Sequence, residues 1–533
     1  MKEIINREIF KRWLFFPVLF VINSILNFYF TYRLETTHRG LLAISLISGA
    51  FLLISWILFY LMFNDLKKSA IMVFAASLPF FDFQNIVYQL RKIAHSTSNI
   101  TLLRFWHSNA GQLICFGLMI LFVIVVFLLV KKIEKINPLT ILFLNVFSII
   151  FLCTLIIRGN ININHNKNEK ENFINYWQNE IKNIDPSNTH ARNNHPDIYY
   201  IILDGFTRSD VLLNLYDLDN SGFINELQKR GFFIASESYS NYTQTRSSLA
   251  SSLNLRYLNE AADVIGEDKS YYFPAYYMID NSIVENSLGA IGYDLVSFRS
   301  SMSYLDFKDW DYYFKPKSVP DSSTQTFIST TAMSVFLNPL LYRWNYEAVK
   351  FTIESLPSAG SIDGPQFIFA HILCPHPPFL FDSDGSLKKA DRLYTTQDAN
   401  YFFSSGTMDE YKNGYKDQVI FLQKSLIKMI DQINSTSTEP YILIMQGDHG
   451  SGMQLDQEDL SNTNINERFG ILNAIYFFDR DYEELYEQIS PVNTFRVIFT
   501  QYFGIDKPLL ADRHYYSRYW HLFDFSPVDD LLD

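Results

Sequence analysis

The chain of 533 residues predicts two structural units: an N-terminal α-helical membrane domain with five spans at 1–158, and a C-terminal α/β domain at 196–533 with a mixed, mostly parallel sheet sandwiched by helices. A linker at 159–195 joins them. Three observations predict this division. Five runs of about 20 apolar residues crowd the first part, each long enough to cross a bilayer core. The charge divides at the same point, because residues 1–158 hold 15 Lys/Arg and 6 Asp/Glu, a net of +9, leaving 44 − 15 = 29 against 56 − 6 = 50, a net of −21, for the rest. From His195 onward, short apolar runs alternate with amphipathic helical patterns, the mark of a sheet covered by helices.

The candidate spans are 13–32, 40–63, 69–90, 112–130 and 138–157. Five such runs in so short a stretch leave no amphipathic partner to cover them in a soluble fold. The first is too long for a signal-peptide core and has no small-residue cleavage site after it. With the N-terminus inside, nine Lys/Arg fall in inner segments, among them Lys67, Lys68, Lys131, Lys132 and Lys135, against five in outer loops, so the chain after 157 is expected outside. Pro79, Asp82, Gln84 and Asn85 crowd the third span and mark a water-filled or headgroup-facing surface.

The linker is rich in Asn, Lys, Glu and His. Within it 171–184 reads as a short helix with Phe173, Trp177 and Ile181 on one side, lying either at the membrane surface or against the next domain. The C-terminal domain opens on the apolar run 197–203, bounded by Pro196 and by Asp204-Gly205, which suits a strand buried on both faces. A helix around Phe223 and Leu227, a strand at 232–235, a strand at 366–373, a long helix at 408–433, and strands at 441–445 and 470–478 follow. The aromatic-rich stretch 271–313 reads as an insertion. Cys115 and Cys153 lie in spans, which leaves Cys374 without a disulfide partner in the exported part.

Functional groups in an open α/β sheet gather where strands end at their carboxyl side. The run 441–446 ends in Gly447-Asp448-His449-Gly450, an acid and an imidazole suited to a divalent metal, with glycines that permit the sharp turn. Asp204 ends another strand. Between them, Thr243-Gln244-Thr245-Arg246-Ser247-Ser248 opens a helix, whose free N–H groups and dipole favour a phosphate or sulfate and whose hydroxyls offer a nucleophile.

In that order, Asp204, the helix-opening Thr245, a Pro-His-Pro-Pro-Phe loop at 375–379 and the late Gly-Asp-His-Gly, all behind membrane spans, resemble the membrane-bound, sulfatase-like branch of the alkaline phosphatase superfamily. Its members include the lipid A phosphoethanolamine transferases and the lipoteichoic acid synthases. The resemblance implies an alkaline phosphatase/sulfatase-like fold with Asp204, Thr245, Asp448 and His449 as metal ligands. Thr245 also matches the nucleophile, preferred to Thr243 because Ser248 reproduces a Thr-x-x-Ser spacing. His376, in the 375–379 loop, matches a phosphate-contacting acid/base, while His371, Arg246 and Ser248 are the further substrate-binding candidates.

The resemblance departs in three places. Asp204 stands where the transferases have Glu. Asn466-Glu467-Arg468-Phe469 occupies the region where they carry a further histidine. The Cys-x-Pro-Ser-Arg motif of sulfatases is absent. The reading implied is a phosphoethanolamine- or phosphoglycerol-type headgroup transferase, using Zn²⁺ or Mn²⁺, with Mg²⁺ or Ca²⁺ as alternatives. It would take a phospholipid donor and an envelope glycan or lipid acceptor, and would sit as a multi-pass protein in a bacterial cytoplasmic membrane with its C-terminal domain on the periplasmic or extracellular side. Competing expectations are a sulfatase-like hydrolase and a non-catalytic envelope protein on the same fold. The acidic balance of the exported part argues against nucleic acid as a partner.

Overall fold

The computed structural model describes residues 13–96, 100–165, 167–182, 195–265 and 272–532. The chain forms two compact units. One comprises residues 1–167 with 320–342 and 390–394, and the other 168–319, 343–389 and 395–533.

The first unit is built of apolar helices. His38–Phe63, Asn109–Lys132 and Pro138–His165 are long and apolar enough to cross a membrane. The expected third span is two helices, Leu66–Phe81 and Phe83–Ser96, bent by 54°. Pro79 lies inside the first of these and removes one helical N–H, and Asp82 sits at the break, so the polar residues crowding this run interrupt the helix. The first apolar run yields only Phe16–Thr31, 16 residues, about 24 Å of helix. Its start is fixed by Asn145, whose Oδ1 accepts from the Phe15 and Phe16 amides at 3.1 and 3.0 Å. Among the described residues, the five expected spans therefore become three long helices, four with the bent pair, and a shorter apolar helix.

The second unit is organised by a seven-stranded sheet: β1 (Asp197–Leu203), β2 (Phe233–Ile234), β3 (Asp294–Phe298), β4 (Tyr312–Phe314), β5 (Gln366–Ile372), β6 (Tyr441–Gln446) and β7 (Asn473–Phe477). The order is β2-β7-β6-β1-β5-β3-β4. The β1–β5, β1–β6, β3–β5 and β3–β4 pairs are parallel, while β7 runs antiparallel to β6 and to β2. β1, β5 and β6 are buried along their whole length, as continuous apolar runs at the centre of a doubly covered sheet require.

The stretch 271–313 is no insertion. It supplies β3 and β4 to the sheet, and its aromatics pack on it, Trp310 and Phe307 stacking beside Phe369. Strand signal there is masked by short runs separated by helices. The helix Lys167–Lys182 buries Phe173 and Trp177 in the core of this unit, with Trp177 Nε1 donating to the Asn281 carbonyl at 2.9 Å. Ile184 lies outside the described residues.

Candidate active site

β1 and β6 are adjacent and parallel, with Ile202 opposite Gln446, so the residues just beyond them come together at one edge. Asp204 follows β1 and Asp448-His449 follows β6. The turns that aim them depend on glycine. Gly205 has φ +72°, and a Cβ on Gly450 would meet the Glu467 carbonyl oxygen at 2.0 Å.

Asp204, Asp448 and His449 each present a ligand atom within 4.8 Å of the others, and all three are buried. His449 Nε2 lies 3.5 Å from Asp204 Oδ1, 3.4 Å from Asp448 Oδ2 and 3.2 Å from Thr245 Oγ1. Thr245 is the first residue of the helix Thr245–Ser252, so its hydroxyl and the free N–H groups of that helix face the same place. Among the described residues, neither oxygen of Asp204, nor Asp448 Oδ2, has a hydrogen-bond partner of good geometry, although all are buried. Buried charged oxygens without donors are costly unless a cation meets them. These residues therefore fit a divalent metal, held by two carboxylates and one imidazole.

The electrostatics agree. Burial and the Arg468 guanidinium hold His449 below its ordinary value, in the neutral form a metal ligand needs. Burial opposes ionisation of Asp204, but His376, His371 and His449 outweigh it and keep its carboxyl below the usual range. His376 is displaced the other way: burial lowers it, but Asp204 and Asp398 prevail and raise it. Its backbone N–H donates to the Asp204 carbonyl at 3.0 Å, and its Nε2 lies 3.7 Å from Asp398 Oδ2.

Of the expected site residues, Asp204, Asp448, His449, Thr245, His371 and His376 come together. His371 leaves β5 with Nε2 3.3 Å from Asp204 Oδ2 and with Nδ1 2.9 Å from Ser300 Oγ. Ser248 is placed otherwise, since its hydroxyl donates to the Tyr242 carbonyl at 3.1 Å, inside its own helical turn and the loop before it. Thr243 is likewise engaged, its carbonyl accepting from Arg468 at 2.9 and 2.6 Å. Arg246 lies among Tyr272, Tyr276, Tyr304 and Tyr519, 5.0 to 5.8 Å from the ring centroids, and donates from Nε to Tyr276 Oη at 3.0 Å.

Two supporting residues carry no sequence signal of their own. Asp398 emerges from an irregular segment and faces both His376 and Arg468, 3.6 Å from Arg468 Nη1. Arg468, buried, also donates to the Gly450 carbonyl at 3.1 Å, and so ties the Thr245 loop to the His449 loop. Next to it, Glu467 accepts from Ser451 Oγ, the Met453 and Gln454 amides and Tyr216 Oη at 2.6 to 3.0 Å, fixing the chain beyond Gly450. The stretch Asn466-Glu467-Arg468-Phe469 thus supplies Arg468 and Glu467, while Asp398 comes from elsewhere in the chain.

A sheet whose strand ends fit a divalent metal, with a hydroxyl at a helix N-terminus beside them, suits phosphate- or sulfate-ester chemistry. The family model described as Sulfatase matches residues 196–489, more than half of the chain, and the chain belongs to that family. No curated protein matches it. Among solved structures, the chain is similar to the C-terminal periplasmic domain of EptC from Escherichia coli at 11% identity and a TM-score of 0.39, covering 62% of this chain and 92% of that one. It is similar at 13% identity and a TM-score of 0.40 to the integral membrane lipooligosaccharide phosphoethanolamine transferase A of Neisseria meningitidis, covering 92% of this chain and 97% of that one. A protein in the alkaline phosphatase superfamily from Vibrio parahaemolyticus is similar at 13% identity and a TM-score of 0.36, covering 62% and 75%.

Proposed function

We propose that this chain is a membrane-bound headgroup transferase that moves a phosphoethanolamine- or phosphoglycerol-type group from a phospholipid to an envelope glycan or lipid through a Thr245 ester. One observation carries the reading: the Thr245 hydroxyl, at a helix N-terminus, sits 3.2 Å from His449 beside buried carboxylate oxygens that lack hydrogen-bond donors. The orientation follows from charge. Lys131 and Lys132 end the helix Asn109–Lys132 and Lys135 follows in the connection to Pro138–His165, which puts that connection in the cytoplasm and the chain after His165 on the opposite side.

Asp204, Asp448, His449 and Thr245 would hold the metal, Zn²⁺ or Mn²⁺ by ligand type. When bound, it lowers the pKa of the hydroxyl and neutralises phosphoryl charge. Thr245, its proton lost to solvent, attacks phosphorus in line. The Oγ–P bond forms as the bond to diacylglycerol oxygen breaks, and protonated His376 gives that oxygen its proton. In the second half an acceptor hydroxyl attacks the Thr245 ester, its proton passing to His376 as the Oγ–P bond breaks. Asp204 and Asp398 favour the charged form of His376 that the first half uses, and Arg246 and His371 bind the phosphate.

The test is peptide mass spectrometry of detergent-purified protein after incubation with mixed phospholipids and Zn²⁺ or Mn²⁺. A headgroup adduct on the Thr245 peptide, absent from Thr245→Ala, is expected, and its mass names the donor. Absence of an adduct and of released diacylglycerol under every metal overturns the reading. The match to the sulfatase family favours a second reading, an ester hydrolase with water as acceptor. Release of free headgroup without any added acceptor, through the same adduct, would select it.

A further inference from the structure

The apolar unit contains a cavity that its surroundings do not explain. It encloses about 390 Å³ and is lined by the last turns of Phe16–Thr31, by the break at Asp82, by the helix that follows it, and by Phe327, Thr330 and Thr331 of the same unit. Pockets of this size commonly take a small ligand. Its polar lining is unusual for helices of this composition, and includes Asn23, Asn27, Asp82, Asn85 and Arg91. Polar side chains among membrane helices are expensive and gather at ligand or ion sites, as do broken helices.

Two features point to a bound group. Asn23 is 4% exposed, and its Oδ1 is buried without a hydrogen-bond partner among the described residues. The cavity also holds both signs of charge. Among the described residues, Arg91 bonds only weakly, to the Trp106 carbonyl at 3.4 Å from Nε and Nη2, and Asp82 accepts from Asn85 Nδ2 at 3.2 Å. Neither has an ion-pair partner among the described residues. A guanidinium matches a phosphate and a carboxylate matches an ammonium.

We infer that this cavity binds the zwitterionic headgroup of an amine-bearing phospholipid, with the phosphate at Arg91 and the ammonium at Asp82. Lys67 and Lys68 begin the helix Leu66–Phe81 and face the cytoplasm by charge, so Asp82, at its far end, lies about 24 Å away in the outer half of the bilayer. The lipid held is therefore an outer-leaflet one, on the side where the donor of the proposed reaction is needed. The inference rests on the membrane orientation given above and on none of the transfer chemistry.

The experiment uses the full chain carrying Thr245→Ala in detergent micelles with EDTA, which silences the other lipid-handling site. Native mass spectrometry follows titration with dioleoylphosphatidylethanolamine, dioleoylphosphatidylglycerol or dioleoylglycerol. One phosphatidylethanolamine is expected to bind at least tenfold more tightly than either comparator, with Arg91→Gln and Asp82→Asn each weakening it about tenfold. Equal affinity for dioleoylglycerol, or unchanged binding by both variants, overturns the inference. Equal affinity for phosphatidylglycerol overturns the assignment of Asp82 to an ammonium. Because a substitution at a helix break can impair folding, a diazirine-bearing phosphatidylethanolamine is also photolysed on the unsubstituted chain. Crosslinks are expected in 20–32 and 82–91, and crosslinks confined to other segments overturn the site. A failed Thr245 adduct experiment leaves all of these outcomes intact.

Discussion

Two buried acidic residues, Asp448 just before Gly450 and Glu467, whose carbonyl lies against Gly450, are held in opposite ways. Glu467 is saturated, accepting four hydrogen bonds from Ser451, Met453, Gln454 and Tyr216. Asp448 accepts one, from the Gly205 amide at 3.1 Å, and among the described residues its other oxygen is buried without a hydrogen bond of good geometry, as are both oxygens of Asp204. Saturation is what a structural carboxylate needs to repay its desolvation. An open valence is what a carboxylate keeps when its partner is a cation that comes and goes. The same contrast separates Thr243, bonded into its surroundings, from Thr245, whose hydroxyl faces His449.

The contrast is broken or sharpened most strongly by removing the open groups. Thr245→Ala and Asp448→Asn should each lower transfer or hydrolysis by ~10³-fold or more, because nucleophile and metal act as one unit. In the same protein stripped of metal, Asp448→Asn should raise thermal stability by roughly 1 to 3 kcal/mol, since it keeps the acceptor for Gly205 and removes an uncompensated charge. Melting curves in EDTA read the second effect, and a fall in stability would show that the open oxygen has a structural partner. Glu467→Ala reverses the pattern: it should destabilise the chain by roughly 3 kcal/mol or more with or without metal, as four donors lose a buried acceptor. A variant of unchanged melting temperature would place Glu467 with the functional group instead.

Metal itself sharpens the comparison next. Zn²⁺ or Mn²⁺ at a thousandfold excess over its dissociation constant should stabilise the unsubstituted chain by about 4 kcal/mol and Asp448→Asn far less. Arg468→Met should cost about 10²-fold in turnover by letting the Thr245 and His449 loops shift, while metal-dependent stabilisation survives. Loss of both together would make Arg468 part of the metal site.

What the sequence could reveal follows the same division. The open groups stand at ends of strands, and β1 and β6 are apolar runs whose ends Asp204 and Asp448 punctuate, so period and turn chemistry expose them. The saturated group Glu467 and its neighbour Arg468 sit in the five-residue helix Ile465–Phe469, and Asp398 in irregular chain, neither long enough to set a period. Asp398 faces His376 from a segment without periodicity, and Arg468 acts through backbone carbonyls of Thr243 and Gly450, contacts that side-chain identity cannot announce. The break at Asp82 was legible as a crowd of polar residues, but its 54° bend was not, because hydropathy sums over a window and direction does not enter the sum. Strands β3 and β4 carry no such mark, since their short runs lie between helices in a stretch rich in aromatics throughout.

A third buried acid tests how far the contrast extends beyond the site, with the smallest effect. Asp197 opens β1, where one oxygen accepts from the Gln366 amide at 3.0 Å; burial raises its pKa from 3.8 to about 7 despite that bond. Its folded value lies above its unfolded one, so between these limits only the native state holds the proton. The stabilisation from protonation is complete below 3.8 and is lost as pH rises through about 7. The melting temperature should therefore carry a component that falls from pH 5 to pH 8, and Asp197→Asn, which keeps the acceptor and never ionises, should lack it. The variant's advantage should grow with pH. An advantage independent of pH would mean that Asp197 is already charged in the fold, and that one amide bond suffices to hold a buried carboxylate open away from any metal.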